Sequence, residues 1–223
     1  MPKPRLLDLF CAAGGAARGY DLAGFDVVGV DLNHFKRYPY PQITTDALKL
    51  DVRFLRTFDA IHASPPCQGY TEMRAPGQKG APRLIPQVRK LLKAAGVPYI
   101  IENVENARWA MEDPICLCGS MFGLEAEGHQ LQRHRLFECS FDVKPPRPCQ
   151  HRQPVIGVYG GHARNRSVVH GGRGTKDTWL TGHKGAASTA LGIDWMTLAE
   201  MSESIPPAYT AYLGVHLRYR IGT

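Results

Sequence analysis

A chain of 223 residues suits one domain, or one domain with a small insertion, has ample length to bury a core, and is too short for a large multidomain machine. Hydrophobic residues at 43% and charged residues at 21% match soluble globular proteins, and no apolar run nears the roughly 18 residues that cross a bilayer, which argues against a membrane protein. Twenty-seven Lys and Arg against 20 Asp and Glu leave a formal charge of +7, which favours an anionic partner.

The first residues, Met-Pro-Lys-Pro-Arg, run into a mixed acidic and apolar segment without the apolar middle and small-residue cleavage site of a secretory signal, so an intracellular protein is expected. Arg5 to Phe10 reads as a short buried strand, followed by Cys11-Ala12-Ala13-Gly14-Gly15 and a helix over Ala16 to Ala23. Asp26 to Val30 is a second strand, ending at Asp31, and Asp59 to Ala63 is a third. Pro98 to Glu102 is a fourth, preceded by a helix from about Pro86 to Ala95 that tolerates proline in its first turn. Apolar strands separated by helical spacers predict an α/β fold, with a mostly parallel sheet and helices on both faces. Ligands of such sheets sit at the carboxyl ends of the strands. The unusual residues fall at those ends: Gly14 and Gly15, Asp31, Pro65-Pro66-Cys67-Gln68 and Glu102-Asn103-Val104.

The charge is concentrated further along. Between Cys139 and Ala190 stand eight basic residues, among them Arg164, Arg166 and Arg173, against the acidic pair Asp142 and Asp177, so this stretch holds +6 of the +7. It is also rich in glycine, which predicts a loop-rich, nucleic-acid-contacting insertion; the plainer reading is a solvated loop.

Each strand-end element carries its own chemistry. A glycine-rich turn between strand and helix lets backbone approach a cofactor, and an acidic residue ending the next strand accepts hydrogen bonds from ribose. The spacing lacks the full dinucleotide fingerprint, which favours an adenosine cofactor other than NAD. Paired prolines stiffen the loop that presents Cys67, as a nucleophile would require, although many cysteines are simply buried and inert. Glu102 points into the same crevice, where desolvation raises a carboxyl pKa towards that of a useful acid; otherwise it is an ordinary partner for an arginine.

Together and in this order, DLFCAAGG (Asp8 to Gly15), VGVD ending at Asp31, TTDA around Asp46, SPPCQGYT (Ser64 to Thr71), IENV (Ile101 to Val104) and QRHRLFE (Gln132 to Glu138) resemble the cytosine-5 DNA methyltransferases. The resemblance implies a Rossmann-like S-adenosylmethionine-dependent methyltransferase fold. It implies a catalytic and cofactor-binding domain over residues 1–138, a small target recognition region over 139–190, and a segment over 191–223 that returns to the catalytic domain. It implies that Cys67 adds to carbon 6 of a flipped-out cytosine in duplex DNA while Glu102 protonates or hydrogen-bonds N3. Arg133 and Arg135 would grip the base oxygen and the phosphate or assist the thiolate, their alternative being a salt-bridged strand. S-adenosylmethionine would lie among Phe10, Ala12, Gly14, Gly15, Asp31, Asp46 and Pro66. Among the DNA-binding residues, Gln68 and the loop carrying Arg74 would close over the base and touch phosphates, Asn103 would hold the protein's loops there, and Arg164, Arg166 and Arg173 would dock toward a groove.

Three departures from the family pattern stand out. Ala12 occupies the first glycine position of the first turn, the glutamine expected two places before Arg133 is Leu131, and the last cofactor contact near Ser204 to Thr210 is missing. The short recognition region resembles compact enzymes of bacteriophages and prophages, acting as monomers in the cytoplasm of a bacterial or infected cell. Cys116, Cys118, Cys139, Cys149 and His151 could gather into a thiolate-rich zinc site with Cys149-x-His151 as one arm, but their spacing matches no common zinc motif and Cys116-x-Cys118 is tight for one; the cysteines are read as reduced structural thiols, with no metal expected. The competing functions are methylation of transfer RNA with the same cysteine and glutamate, a non-catalytic DNA-binding relative, and transfer of a group other than methyl.

Overall fold

A computed structural model describes residues 2–70, 80–158 and 184–223. Its strands are β1 (Arg5–Leu9), β2 (Asp26–Asp31), β3 (Gln42–Thr44), β4 (Ala60–Ala63), β5 (Tyr99–Asn103), β6 (Ile115–Leu117), β7 (Glu125–Ala126), β8 (His129–Leu131), β9 (Arg135–Cys139) and β10 (Val155–Ile156). Its helices are α1 (Gly15–Leu22), α2 (Val52–Leu55), α3 (Ile85–Ala95), α4 (Lys184–Leu191), α5 (Leu198–Glu203) and α6 (Pro207–Ile221). The main sheet runs β3-β2-β1-β4-β5-β9-β6. Its first five strands are parallel, and β9 enters antiparallel between β5 and β6.

The sheet is mostly parallel, as the apolar runs predict, because both of its faces are covered. Leu7, Leu9, Ile61 and Ile101 point to the side of α3, whose Ile85, Val88, Leu92 and Ala95 form one buried stripe. Leu6, Val27, Ile100 and Phe137 point to the other side, against Tyr20 of α1 and Tyr209 and Leu213 of α6. Alternation along the strands therefore puts Asp8, His62, Glu102 and Arg135 on the α1 and α6 face, where the register lays Asp8 beside Gly29 and His62. No helix among the described residues is long and apolar enough to cross a membrane.

β9 is anchored on the α3 side by an ion pair. Arg89 donates to both carboxylate oxygens of Glu138 at 2.7 and 2.6 Å, and Glu138 is only 3% exposed. The same carboxylate accepts from the Glu112 amide at 2.7 Å, so its desolvation is met by several donors at once.

A second, smaller core lies beside the sheet, where β10, β8 and β7 form a three-stranded sheet covered by α4. Its apolar residues include Leu131, Ile156, Ala187, Leu191, Met196 and Met201, so it draws on the chain both before and after residue 139. The capping box of Thr197 and Glu200 starts α5, and the chain then turns into α6.

α6 lies directly on α1 because small residues let the two backbones approach. A Cβ at Gly19 would collide with Thr210 Oγ1 and the Pro207 carbonyl, and would stand 2.6 Å from the Ala211 amide nitrogen. Thr210 Oγ1 also donates to the Ala16 carbonyl at 2.8 Å, which fixes the helices at this distance. Gly19→Ala should thus destabilise the protein by about 2–3 kcal/mol or more through overpacking against backbone, which urea unfolding will measure.

Candidate active site

The site forms where the carboxyl ends of β1, β2, β4 and β5 meet. After β4 the chain passes through Ser64, Pro65 and Pro66 into a 3-10 turn over Cys67–Gly69, closed by the Tyr70 amide donating to the Cys67 carbonyl at 2.9 Å. Cys67 is half-buried, Pro66 is exposed at the head of the turn, and Gln68 lies within it, partly exposed. The loop is held from β5, whose Asn103 donates through Nδ2 to the Pro65 carbonyl at 2.8 Å and accepts from the Val104 amide at 3.0 Å. Asn103 is 1% exposed, and both ends of its amide are engaged with backbone, of the cysteine loop and of Val104.

Glu102 stands beside that loop, 6% exposed, with Arg135 Nε 3.1 Å from its Oε1. Burial pushes the Glu102 carboxyl above its ordinary value; Arg135, Arg133 and a hydrogen bond from Ser64 oppose the shift without cancelling it. Burial likewise pushes the Cys67 thiol up, Arg135 pulls it down, and Glu102 pushes it up again. Cys67, Glu102 and Arg135 thus form one electrostatic unit, in which the Arg135 cation pairs with Glu102 and also lowers the Cys67 thiol.

A polar chain runs from this unit into the core. His62 Nε2 is 2.8 Å from Ser64 Oγ, and His62 Nδ1 is 2.9 Å from the Tyr20 hydroxyl. Burial lowers the His62 pKa to about 3, so its ring is neutral, with one donor and one acceptor nitrogen. With Ser64 donating to Glu102, the consistent tautomer has Nε2–H donating to Ser64 and Tyr20 donating to Nδ1. Ser64, His62 and Tyr20 were not singled out from the sequence. The one available signal was a histidine in the middle of an otherwise apolar strand.

Arg133 departs from its expected role. Its guanidinium is 6% exposed and donates to the carbonyls of Ser204, Val158 and Ser202 at 2.9, 2.8 and 2.7 Å. It clamps the chain before α6 and the edge of the second core, and is a positioning residue. Arg135 is the arginine that reaches the site.

Apart from Pro66, which follows β4, the expected cofactor residues gather at the ends of β1 to β3. Phe10 and Ala12 have φ of 61° and 44°, a left-handed turn that costs each non-glycine residue about 1–2 kcal/mol. The turn is held by the Cys11 amide donating to the Val30 carbonyl at 3.1 Å and by the Ala12 amide donating to Asp31 Oδ2 at 3.1 Å. Asp31 also accepts from the Asn33 amide at 3.0 Å and stays partly exposed, as do Phe10 and Asp46. Asp46 follows β3, whose Thr44 pairs with Asp31, and caps the next turn by accepting from the Leu48 amide at 3.0 Å. The two glycines have a packing reason that the sequence did not disclose. Gly14, at φ 90°, faces the Tyr38 ring at 2.9 Å from its would-be Cβ, and Gly15 faces the Ile205 carbonyl at 2.5 Å. Arg74, Arg164, Arg166 and Arg173 lie outside the described residues.

No protein-family model and no curated protein matches the sequence. Solved structures do. The chain is similar to the DNMT2 of Spodoptera frugiperda, solved as an E260A/E261A/K263A mutant, with 11% identity over 97% of this chain and 99% of that one and a TM-score of 0.58. It is similar to the Dnmt2 methyltransferase of S. pombe, with 13% identity over 99% and 100% of the two chains and a TM-score of 0.58. It is similar to the Entamoeba histolytica methyltransferase EhMeth, with 12% identity over 99% of each chain and a TM-score of 0.58. At these identities the likeness is one of fold, and over nearly its whole length the chain has the α/β fold of these methyltransferases.

Proposed function

We propose that the protein is an S-adenosylmethionine-dependent cytosine-5 methyltransferase whose substrate is duplex DNA. The observation that carries this reading is the unit of Cys67, Glu102 and Arg135 at adjacent strand ends, on a fold shared with methyltransferases. A half-buried thiol on a stiff loop beside a buried carboxyl of raised pKa suits addition to an electron-poor ring followed by protonation of that ring. The basic stretch from Cys139 to Ala190 favours a nucleic acid as the carrier of that ring.

The donor set fits an adenosyl cofactor. Asp31 and Asp46 are partly exposed carboxylates on neighbouring strand ends, each oxygen of Asp31 keeping a lone pair beyond its backbone bond, and Phe10 adds an apolar wall. Asp31 would accept from ribose hydroxyls and Asp46 from the exocyclic amine. When bound, S-adenosylmethionine supplies a methyl group as an electrophile.

The chain's own residues prepare the base. The Cys67 thiolate adds to carbon 6, and the ring's electrons move toward N3 and the carbonyl oxygen, where the Glu102 carboxyl protonates or hydrogen-bonds N3. Arg135 stabilises the thiolate before addition and the Glu102 carboxylate after it gives up its proton. The carbon 5 of this adduct is an enamine carbon and therefore nucleophilic. Once carbon 5 is alkylated, loss of its proton returns the electron pair that expels Cys67. Asn103 keeps the loop at the height of Glu102 throughout. The base must leave the duplex for carbon 6 to be reached.

Labelled methyl transfer to unmethylated duplex DNA and, in parallel, to transfer RNA tests the proposal, with product nucleosides identified by mass. Cys67→Ala should abolish 5-methylcytosine formation while DNA binding persists; transfer at the wild-type rate would remove Cys67 from the mechanism. Product on transfer RNA alone would make RNA the substrate, and product on neither would favour a binding protein or another donor.

Two further variants probe the electrostatics. Arg135→Gln removes the cation that lowers the Cys67 pKa, so the acidic limb of the kcat/KM profile should move to higher pH. Glu102→Gln keeps the shape of the side chain and removes its ionisation. A carboxyl of raised pKa contributes stability that is present below its unfolded value and is lost as pH rises through its folded value. The Gln variant should therefore gain stability on the wild type as pH rises above the ordinary value of 4.5, and the difference should close below it, as urea midpoints across pH will show.

A further inference from the structure

Four side chains outside the catalytic unit converge on one point: Cys118, His134, Cys149 and His151, whose ligand atoms all lie within 4.8 Å of one another. Cys149 Sγ is 2.8 Å from His151 Nε2 and 3.4 Å from His134 Nε2, and Cys118 Sγ is 3.4 Å from His151 Nε2. The topology explains half of this. β6 and β9 are antiparallel with Leu117 opposite Arg135, so the next pair outward is Cys118 and His134, facing each other across the ladder. Cys149 and His151 come from the stretch of residues 140–154, which has neither helix nor strand.

We propose that these four residues bind one structural zinc ion. Two thiolates and two imidazoles are the donor set of closed, tetrahedral zinc sites, and they disfavour magnesium or calcium, which take oxygen ligands. Bonds of about 2.3 Å to sulfur and 2.0–2.1 Å to nitrogen hold such ligand atoms roughly 3.3–3.8 Å apart, so the present cluster needs only small side-chain adjustments. Two thiolates neutralise the dication, which suits a site running from the buried Cys118 to the exposed Cys149 and His151. The surroundings match an outer shell. Ser120 Oγ is 3.3 Å from Cys118 Sγ and 3.4 Å from Cys149 Sγ, and Glu105 lies 3.8 Å from His134 Nδ1, on the side of the ring away from the cluster. All four positions are filled by protein, so the ion has no open site for catalysis.

This assignment revises the expectation that the cysteines are plain thiols. Cys118, Cys149 and His151 belong to the cluster, Cys116 and Cys139 do not, and His134 joins it from the QRHR segment. The consequence reaches the active site through the chain. His134 stands between Arg133, which clamps the carbonyls of Ser202 and Ser204, and Arg135, which pairs with Glu102. An ion on His134 fixes the segment that carries both arginines and ties down the root of the basic insertion.

The test uses the full chain, purified under reducing conditions without chelator, and reads metal content by mass spectrometry, so it is independent of methyl transfer. About one zinc per chain is expected in the wild type, nearly none in Cys149→Ser and in His151→Ala, and an undiminished level in Cys139→Ala. Cobalt loaded into the wild type should show the intense ligand-field bands of a tetrahedral ion together with thiolate charge transfer, a readout that holds even where a variant fails to fold. No stoichiometric metal after exposure to zinc, a six-coordinate cobalt spectrum, or the same zinc content in Cys149→Ser would overturn the proposal. So would a disulfide between Cys118 and Cys149, read as four rather than six titratable thiols in the denatured wild type with the linked pair identified by peptide mapping.

Discussion

The antiparallel entry of β9 between β5 and β6 is the constraint on which the rest of this molecule depends. A strand of five residues distributes its side chains to opposite faces, and here every polar one lands on a partner that only this register supplies. Arg135 reaches Glu102 on the α1 and α6 face, and Glu138 reaches Arg89 on the α3 face. Just before the strand, His134 meets Cys118 across the β6 ladder and Arg133 takes the carbonyls that precede α6. A slip of one residue would exchange the faces and leave buried charges on both sides without partners, which fixes the register energetically.

The sheet's interior polarity follows from the same alternation. A central parallel sheet covered on both faces is expected to be apolar throughout, yet Asp8, His62 and Glu102 occupy the α1 and α6 face. Two of them are satisfied by a chain of hydrogen bonds through Tyr20 and Ser64. Asp8 is different: its Oδ2 is buried with no hydrogen-bond partner among the described residues, and burial holds its carboxyl well above its ordinary value.

Much of the architecture was legible because it rests on local patterns. Apolar runs of four to six residues marked β1, β2, β4 and β5 within a residue or so, and the helical stretch from about Pro86 to Ala95 marked α3. The stiff Pro-Pro-Cys loop and the carboxyl at the end of the neighbouring strand were legible for the same reason, since a parallel sheet brings strand ends to one edge whatever the rest of the chain does. Short strands such as β6, β7 and β10, two or three residues long, carry too little periodicity to be seen, and they form only because a neighbour presents a ladder.

What the sequence determined by itself was thus the α/β class, the strand ends with Cys67 and Glu102 placed at two of them, and the charge of the insertion. Tertiary structure alone decided that Arg135 pairs directly with Glu102 while Arg133 takes the carbonyls of Ser202 and Ser204, because the two arginines have the same chemistry and differ only in what their positions face. It alone gave Gly14 and Gly15 their reason, in the Tyr38 ring and the Ile205 carbonyl. It alone gathered Cys118, His134, Cys149 and His151, separated along the chain with no motif spacing, since two arrive by strand register and two by the return of an irregular segment. Contacts between distant positions depend on how the chain closes on itself, and local sequence pattern carries no record of that closure.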